Sequence, residues 1–278
     1  MINQTILDEI KNRSPLQAKK PQDMLYYSNL HNRAGLEMAF PGIGTFKYLN
    51  EPERLRSDPN YKEFSYTINN MGFRGQYPDP ATKGVMGFFG CSFTFGEGLP
   101  EEDNFPYQLS QHHNKECLNL GMCGAGAHRI ALIFQAATRI WNIETAVVTL
   151  PNWGRFNYVD KENNLLSVIP PHPHASNEGE AVRLSLVKQF SDQYLMSATK
   201  DAVSFIVSIA REKNIKLILG AWEQGTQQIL KASLGYDPAI FMYDTKIETA
   251  RDNCHPGPIA CANYTNTIKH YIDNKKYV

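Results

Sequence analysis

Short, continuous runs of apolar residues recur along the second part of the chain and predict buried strands. Four runs are regular, at residues 85–89, 117–120, 146–150 and 215–219, and a fifth, less regular one lies at 239–243. Strands that are buried on both faces of a parallel sheet are apolar throughout rather than alternating. The pattern therefore predicts a parallel sheet of four strands, with a fifth as a candidate.

The segments between these runs have the periodicity of amphipathic helices. Apolar residues recur at spacings of three and four over residues 130–141 and again over 261–272, where Pro258 lies near the first turn. A longer stripe consists of Val187, Phe190, Tyr194, Leu195, Ala198, Ala202, Phe205, Ile206 and Ile209. Strands that alternate with helices predict an α/β fold with helices on both faces of the sheet.

Two stretches depart from this alternation. Residues 1–80 are polar and interrupted by proline, apart from a strand pattern at 64–68 that leads into an Asn/Gly-rich turn at 69–75. We expect them to form an N-terminal extension packed on a main domain of residues 81–278. The stretch 154–183 is rich in proline and polar residues and is predicted to be a long loop that shapes access to a site.

Composition and charge exclude several classes of protein. The 278 residues carry 28 Lys and Arg against 28 Asp and Glu, so no basic excess favours a nucleic-acid partner. We find no apolar leader and no 18-residue apolar run, and so expect neither export nor a membrane partner. The five cysteines are odd in number and lack a repeated C-x-x-C spacing, which indicates reduced thiols and a cytoplasmic location.

The clearest chemical signal follows the first apolar run, where residues 88–98 read FFGCSFTFGEG. An apolar run that stops at glycine, before a small nucleophile and further glycines, is typical of a strand ending in a tight turn. The hydroxyl of Ser92 would be exposed at that turn. Ligands of open α/β sheets bind at the carboxyl ends of the strands, which is where this serine would lie.

An acid and a base three residues apart lie far downstream, at Asp252 and His255. A serine hydroxyl becomes a useful nucleophile when a neighbouring base takes its proton, and an imidazole titrates near neutral pH. The Asp252 carboxylate can reach Nδ1 of the same ring and turn Nε2 toward the serine. The predicted catalytic residues are therefore Ser92, Asp252 and His255.

Candidate donors for an oxyanion follow the next two predicted strands. The glycine-rich residues 121–126 follow the second strand, and Asn152 follows the third. The N–H groups of Ser92 and Gly124, with the side chain of Asn152, are predicted to form a three-donor oxyanion hole. Arg155 is a candidate for binding a substrate carboxylate, although a surface arginine is the commoner explanation.

This set of residues resembles the SGNH (GDSL-like) hydrolase superfamily over residues 84–275. The resemblance implies a flavodoxin-like three-layer sandwich with a five-stranded parallel sheet, and hydrolysis or transfer of an acyl group without a metal or organic cofactor. Cys91 stands where the family usually has Asp, and the third block keeps only Asn152. We expect an esterase for a small-molecule acyl ester, with acetyl on a sugar as one candidate.

Other interpretations stay open at this point. The same fold can serve as a non-catalytic binding or structural module. The glycines at 121–126, with Glu144 as a ribose-binding acid, suggest dinucleotide binding, although their order differs from G-x-G-x-x-G. His172 and His174 could form a metal pair, but an isolated H-x-H in a proline-rich loop is usually solvated. Cys254 is a less favoured nucleophile because it is next in sequence to its base.

Overall fold

Strands and helices alternate through most of the chain that the computed structural model describes, which comprises residues 18–27, 44–47, 63–159, 165–168, 190–241, 248–252 and 254–278. The strands are β1 (Gly44–Lys47), β2 (Ser65–Ile68), β3 (Val85–Gly90), β4 (Cys117–Gly121), β5 (Ile143–Leu150), β6 (Phe156–Val159), β7 (Leu165–Val168), β8 (Lys216–Ala221) and β9 (Ala239–Ile240). The helices are α1 (Ser92–Phe95), α2 (Phe105–His112), α3 (Ala127–Ile140), α4 (Asp192–Glu212), α5 (Gln224–Leu234) and α6 (Pro258–Asp273). Single 3-10 segments cover Pro21–Tyr27 and Glu101–Asp103.

Five parallel strands form the central sheet in the order β4-β3-β5-β8-β9. This order confirms the predicted flavodoxin-like arrangement, and each of the four regular apolar runs is a strand. Successive residues of β3 point to opposite faces. Phe88 packs on Phe105 of α2 at 6.0 Å between ring centroids, and Phe89 packs on Phe134 of α3 at 4.9 Å. A strand that is buried on both faces has no polar side, which explains its uniformly apolar sequence.

Two of the three predicted helices agree closely with the structure, as α3 and α6. The third prediction is wrong at several positions, because α4 begins at Asp192, after the Ser191 N-cap, and leaves Tyr194 and Phe205 57 % and 39 % exposed. The buried face of α4 includes four residues of the predicted stripe, Leu195, Ala202, Ile206 and Ile209. Phe190 precedes the helix and stacks on Tyr194 at 5.4 Å, and Val187 lies outside the described residues.

The described part of the N-terminal 80 residues packs against the main sheet. Strand β2 pairs with β1 and leads into the predicted turn, where Asn69 Oδ1 accepts hydrogen bonds from the N–H groups of Met71 and Phe73. The side chains of Met71 and Phe73 are fully buried in the core that includes β3 and α3. The domain boundary near residue 80 stays a prediction, since most of this stretch lies outside the described residues.

The structure differs from the predicted loop over residues 154–183, because β6 and β7 pair there as an antiparallel hairpin. The prolines at 170–173 favour a loop, but a short apolar segment lies on either side of the polar residues 160–164. His172 and His174 lie outside the described residues. All five cysteines are free thiols. Within the described ranges, no helix combines the length and the apolar character that crossing a membrane requires.

Candidate active site

The carboxyl ends of the central strands bring the predicted site residues to one edge of the sheet. β3 ends at Gly90, and Ser92 is the first residue of α1, 6 % exposed. A Cβ at position 90 would lie 2.1 Å from Thr94 Oγ1 and 2.9 Å from the carbonyl oxygen of Thr149. Only glycine therefore allows the chain to turn this tightly from the strand into the helix.

The structure places the three predicted catalytic residues in a chain of hydrogen bonds. His255 Nε2 lies 2.8 Å from Ser92 Oγ, although the two residues are 163 positions apart. The other ring nitrogen, Nδ1, is hydrogen bonded to Asp252 Oδ2. The imidazole is 17 % exposed and packs edge-on against Phe93, with ring centroids 5.7 Å apart. One ring nitrogen is thus hydrogen bonded to a carboxylate and the other to a hydroxyl.

The Asp252 carboxylate is fixed by its own loop as well as by the imidazole. Its Oδ1 accepts hydrogen bonds from the backbone N–H groups of Cys254 and His255, both at 2.9 Å. Burial alone would raise the pKa of Asp252, but the hydrogen bond from His255, its charge and the two backbone donors outweigh burial and lower that pKa. The group is therefore an anion at neutral pH.

A second carboxylate faces the other nitrogen of the imidazole. Glu97 Oε2 lies 3.5 Å from His255 Nε2. Burial lowers the pKa of His255, but the hydrogen bond that its ring donates to Asp252 and the charges of Glu97 and Asp252 outweigh burial, so the pKa is raised overall. Arg155 contributes a smaller effect in the lowering direction. The acidic neighbours therefore favour the protonated imidazole.

The Arg74 guanidinium donates hydrogen bonds to the backbone of the segment that carries Glu97. This guanidinium is 2 % exposed and donates to the carbonyl oxygens of Phe95 (3.1 Å), Gly96 (2.5 Å) and Leu99 (2.7 Å). The Arg74 side chain also lies over the ring of Tyr66, 4.5 Å from its centroid. These contacts fix the backbone around residues 95–99.

The same segment supports the loop that bears the imidazole. The Gly98 N–H donates to the Tyr66 hydroxyl at 2.6 Å, and the Gly98 carbonyl accepts from the Arg251 N–H at 3.1 Å. Gly98 has φ +79°, and a Cβ there would lie 3.3 Å from Cγ of Asp252. We define the packed side of the site as residues 95–99, residues 250–252 and 254–255, Arg74 and Tyr66.

The predicted oxyanion donors follow β3, β4 and β5 at the same sheet edge. Gly124 has φ +75°, a left-handed conformation that suits glycine. Asn157 of β6 holds this loop, since its Nδ2 donates to the Gly124 carbonyl at 3.1 Å and its Oδ1 accepts from the Gly126 N–H at 2.7 Å. The N–H groups of Ser92 and Gly124 donate to no other described residue.

The turn after β5 carries the other two predicted site residues. Asn152 Oδ1 accepts from the Gly154 N–H at 2.8 Å, which leaves its Nδ2 donor unengaged by the described residues. Arg155, 9 % exposed, lies over the ring of Trp222 at 5.6 Å from the centroid. It is thus buried, in contrast to the surface position that its residue type suggests. We define the open side of the site as residues 151–155 with Trp222.

The geometry disfavours the dinucleotide interpretation. The Gly126 N–H, which would be a phosphate donor, is already used by Asn157. Glu144 lies at the amino end of β5, where it forms ion pairs with Lys115 at 2.7 Å and Lys216 at 3.0 Å. The glycine loop is at the carboxyl end of the neighbouring strands, so this acid and these glycines are at opposite edges of the sheet.

Glu97, Asp252 and His255 are the one group of possible metal ligands found in the described ranges, with ligand atoms within 4.8 Å of one another. Both ring nitrogens of the imidazole already face Asp252 and Ser92, so a metal would displace the serine. Cys254 is a poor nucleophile here. Partial desolvation and the charges of Asp252 and Glu97 raise the pKa of its thiol, and a protonated thiol attacks weakly.

Three residues of this site were not predicted from the sequence: Glu97, Arg74 and Trp222. Glu97 is flanked by two glycines with positive φ, Gly96 and Gly98, which is a visible signal of an unusual backbone. Trp222 directly follows β8 and so has the same strand-end position as the residues that were singled out. Arg74 gave no such signal, because its partners lie 21 to 25 residues away.

No protein-family model and no curated protein matches the sequence. Several solved structures do. A GDSL-like lipase from Bacteroides thetaiotaomicron VPI-5482 is 13 % identical, with 68 % of this chain and 88 % of that one covered and a TM-score of 0.42. A psychrotrophic esterase from Pseudoalteromonas sp. is 12 % identical, with 69 % of this chain and 98 % of that chain covered and a TM-score of 0.44.

A third similar structure is a carbohydrate esterase family 2 enzyme with a carbohydrate-binding domain from Corynascus thermopiles (Myceliophthora fergusii). It is 14 % identical over 73 % of this chain and 69 % of that chain, with a TM-score of 0.46. The similar solved structures thus include a GDSL-like protein, the group that the sequence motifs resemble.

Proposed function

We propose that this protein is a serine esterase that hydrolyses or transfers a small acyl group. The observation that carries the proposal is the 2.8 Å contact between Ser92 Oγ and His255 Nε2, with Asp252 on the opposite nitrogen of the same ring. A serine on its own is a poor nucleophile, and this arrangement supplies both the base and the group that orients it.

In the first step, Ser92 Oγ attacks the carbonyl carbon of the ester while His255 Nε2 takes the hydroxyl proton. The carbonyl oxygen becomes an oxyanion, for which the N–H groups of Ser92 and Gly124 and the amide of Asn152 are the proposed donors. Collapse of the intermediate breaks the ester bond, and the protonated imidazole gives its proton to the departing alkoxide. The acyl group is then bonded to Ser92.

In the second step, His255 takes a proton from the acceptor as it attacks the acyl-enzyme. Water as the acceptor gives a carboxylic acid, and a sugar hydroxyl gives a new ester. Both outcomes return the proton to Ser92 Oγ when the second intermediate collapses. Acetyl on a carbohydrate hydroxyl is the substrate that we would test first.

Covalent labelling tests the proposal directly. A fluorophosphonate should label the wild-type protein at Ser92, and Ser92→Ala should abolish the labelling. Both Ser92→Ala and His255→Ala should lower the kcat for 4-nitrophenyl acetate by about 10⁴-fold or more, while circular dichroism shows both variants folded. Ser110→Ala is a matched control, since that buried serine hydroxyl donates to a helix carbonyl away from the site. Near-wild-type turnover in either site variant would refute the assignment.

A further inference from the structure

The Arg155 guanidinium is buried without a counter-ion. The residue is 9 % exposed, its Nε is fully buried without a hydrogen-bond partner, and no described residue forms an ion pair with it. Among the described residues, the guanidinium lies over the face of Trp222, 5.6 Å from the ring centroid. Because a buried charge is normally paired, an arginine left in this way needs an explanation.

A second unpaired donor lies beside it. The indole Nε1 of Trp222 is also buried, and no described residue accepts a hydrogen bond from it. The Trp222 ring packs on Phe93 at 4.8 Å between centroids, which fixes where this N–H points. Two neighbouring donors, one of them charged, lack acceptors, whereas Thr226 and Thr199 next to the same turn have theirs. At this turn, the hydroxyl donors have acceptors and these two nitrogen donors do not.

This pair of donors lies next to the proposed reacting groups. Phe93, against which Trp222 packs, is adjacent in sequence to Ser92 and in edge contact with the His255 ring. Arg155 also lies close enough for its charge to lower the pKa of His255 and of Cys254. A ligand group held by Arg155 would thus lie near the residues that are proposed to react with the ester.

Hydrogen bonds hold the backbone of the turn that carries Arg155. Its N–H donates to the Asn152 carbonyl at 3.0 Å, and a Cβ on Gly126 would lie 2.4 Å from its carbonyl oxygen. Thr226 Oγ1 donates to the Pro151 carbonyl at 2.9 Å, and Thr199 Oγ1 to the Trp153 carbonyl at 3.0 Å. The turn that carries Arg155 is thus anchored at both ends, and its buried side chain packs over Trp222, which limits where the guanidinium can lie.

We infer that Arg155 and Trp222 form a subsite for a carboxylate carried by the ester substrate. This inference rests on the proposed esterase function and adds the class of substrate. A carboxylate supplies several acceptor lone pairs, pairs well with a guanidinium and can accept from an indole N–H at the same time. The carboxylate can belong to the acyl group or to the alcohol, and the test separates the two.

Two pairs of esters provide the test, each with a charged member and a neutral one. On the acyl side they are the 4-nitrophenyl monoester of glutaric acid and its methyl-capped diester. On the alcohol side they are 3-acetoxybenzoate and methyl 3-acetoxybenzoate. The quantity measured is the ratio of kcat/KM for the charged ester to kcat/KM for the neutral ester. This ratio is compared between protein variants, because the intrinsic reactivity of each ester is the same for all of them and cancels.

In one of the two pairs, we expect Arg155→Gln to lower this ratio by about tenfold or more, the size of a charge-assisted hydrogen bond. Trp222→Phe keeps the ring but removes the N–H, and should lower the ratio by about threefold. Arg139→Gln, at an exposed position of α3, is the matched control and should leave the ratio unchanged. Whichever pair responds shows on which side of the ester the carboxylate lies.

A ratio that Arg155→Gln leaves unchanged in both pairs would overturn the inference while leaving the esterase proposal intact. If the wild type turns over none of the four esters, no ratio can be measured, and 4-nitrophenyl acetate turnover with fluorophosphonate labelling decides the esterase proposal. Calorimetric titration of 3-acetoxybenzoate and of the glutarate monoester into Ser92→Ala then decides the subsite. Binding of either at least tenfold tighter than to Ser92→Ala/Arg155→Gln supports it, and equal affinity for both proteins refutes it.

Discussion

On the packed side of the Ser92–His255 pair, the polar groups described above satisfy one another. Arg74 donates to three carbonyl oxygens, and Gly98 uses both its N–H and its carbonyl. On the open side, three donors lack partners among the described residues: the guanidinium of Arg155, the indole N–H of Trp222 and Nδ2 of Asn152. The two sides meet at one imidazole.

This difference separates two tasks that a catalytic site must perform. A fully satisfied network holds its members in one geometry, and that suits the side that positions the imidazole. Unsatisfied donors destabilise the free protein and are useful only when a ligand supplies the acceptors. We therefore assign the packed side to positioning and the open side to binding, and five predictions test this division.

The largest effect is expected for Asp252→Asn on the packed side. The substituted amide cannot act as an anion toward Nδ1, so the imidazole loses the partner that orients it and stabilises its protonated form. We expect kcat to fall by about 10³- to 10⁴-fold, measured with 4-nitrophenyl acetate. The fall should be smaller than for Ser92→Ala. Retention of more than a tenth of the wild-type kcat would show that the carboxylate does not position the ring.

Stability should separate the two buried arginines. Arg74→Met removes the donor from three carbonyl oxygens and should lower the free energy of unfolding by about 3 kcal/mol or more. Arg155→Met removes an unpaired buried charge and should change it by less than about 1 kcal/mol, in either direction. Urea denaturation of both variants measures the difference. Equal losses in the two would mean that Arg155 is part of a structural network after all.

The two arginines also show where sequence reasoning reached its limit. The sheet was predictable because burial on both faces leaves uniformly apolar runs, and Ser92, Asn152 and His255 were recognisable from local spacing and strand ends. The contacts of Arg74 and the pairing of Arg155 with Trp222 depend on segments that only the tertiary fold brings together. The exposed rings of Tyr194 and Phe205 show the converse error, since apolar spacing alone does not tell which face of a long helix is covered.

Asn152 tests the binding role of the open side. Its Oδ1 caps the turn and its Nδ2 is the proposed oxyanion donor. Asn152→Asp keeps the cap and removes the donor, whereas Asn152→Ala removes both. We expect kcat to fall by about 10²-fold or more in each, with the larger fall in the aspartate variant, because its charge opposes the oxyanion. Rescue by aspartate would instead show that the side chain matters only for the turn.

The two smallest effects are changes in pH dependence, and the larger of them is expected for Glu97→Gln. His255 must be neutral to take the serine proton, so activity rises as pH rises through its pKa. Glu97 helps to raise that pKa. Removing the charge lowers it, and the acidic limb of the kcat/KM profile for a neutral ester should move to lower pH. Glu102→Gln, at an exposed position of the Glu101–Asp103 segment, should not move it.

Arg155→Gln should move the same limb in the opposite direction. The guanidinium lowers the pKa of His255, so its loss raises that pKa and shifts the limb to higher pH. Opposite shifts from the two variants are expected because an acid on the packed side and a base on the open side act on one imidazole. Shifts of the same sign would mean that one of these charges does not reach His255, and the division into two sides would no longer explain how its proton is controlled.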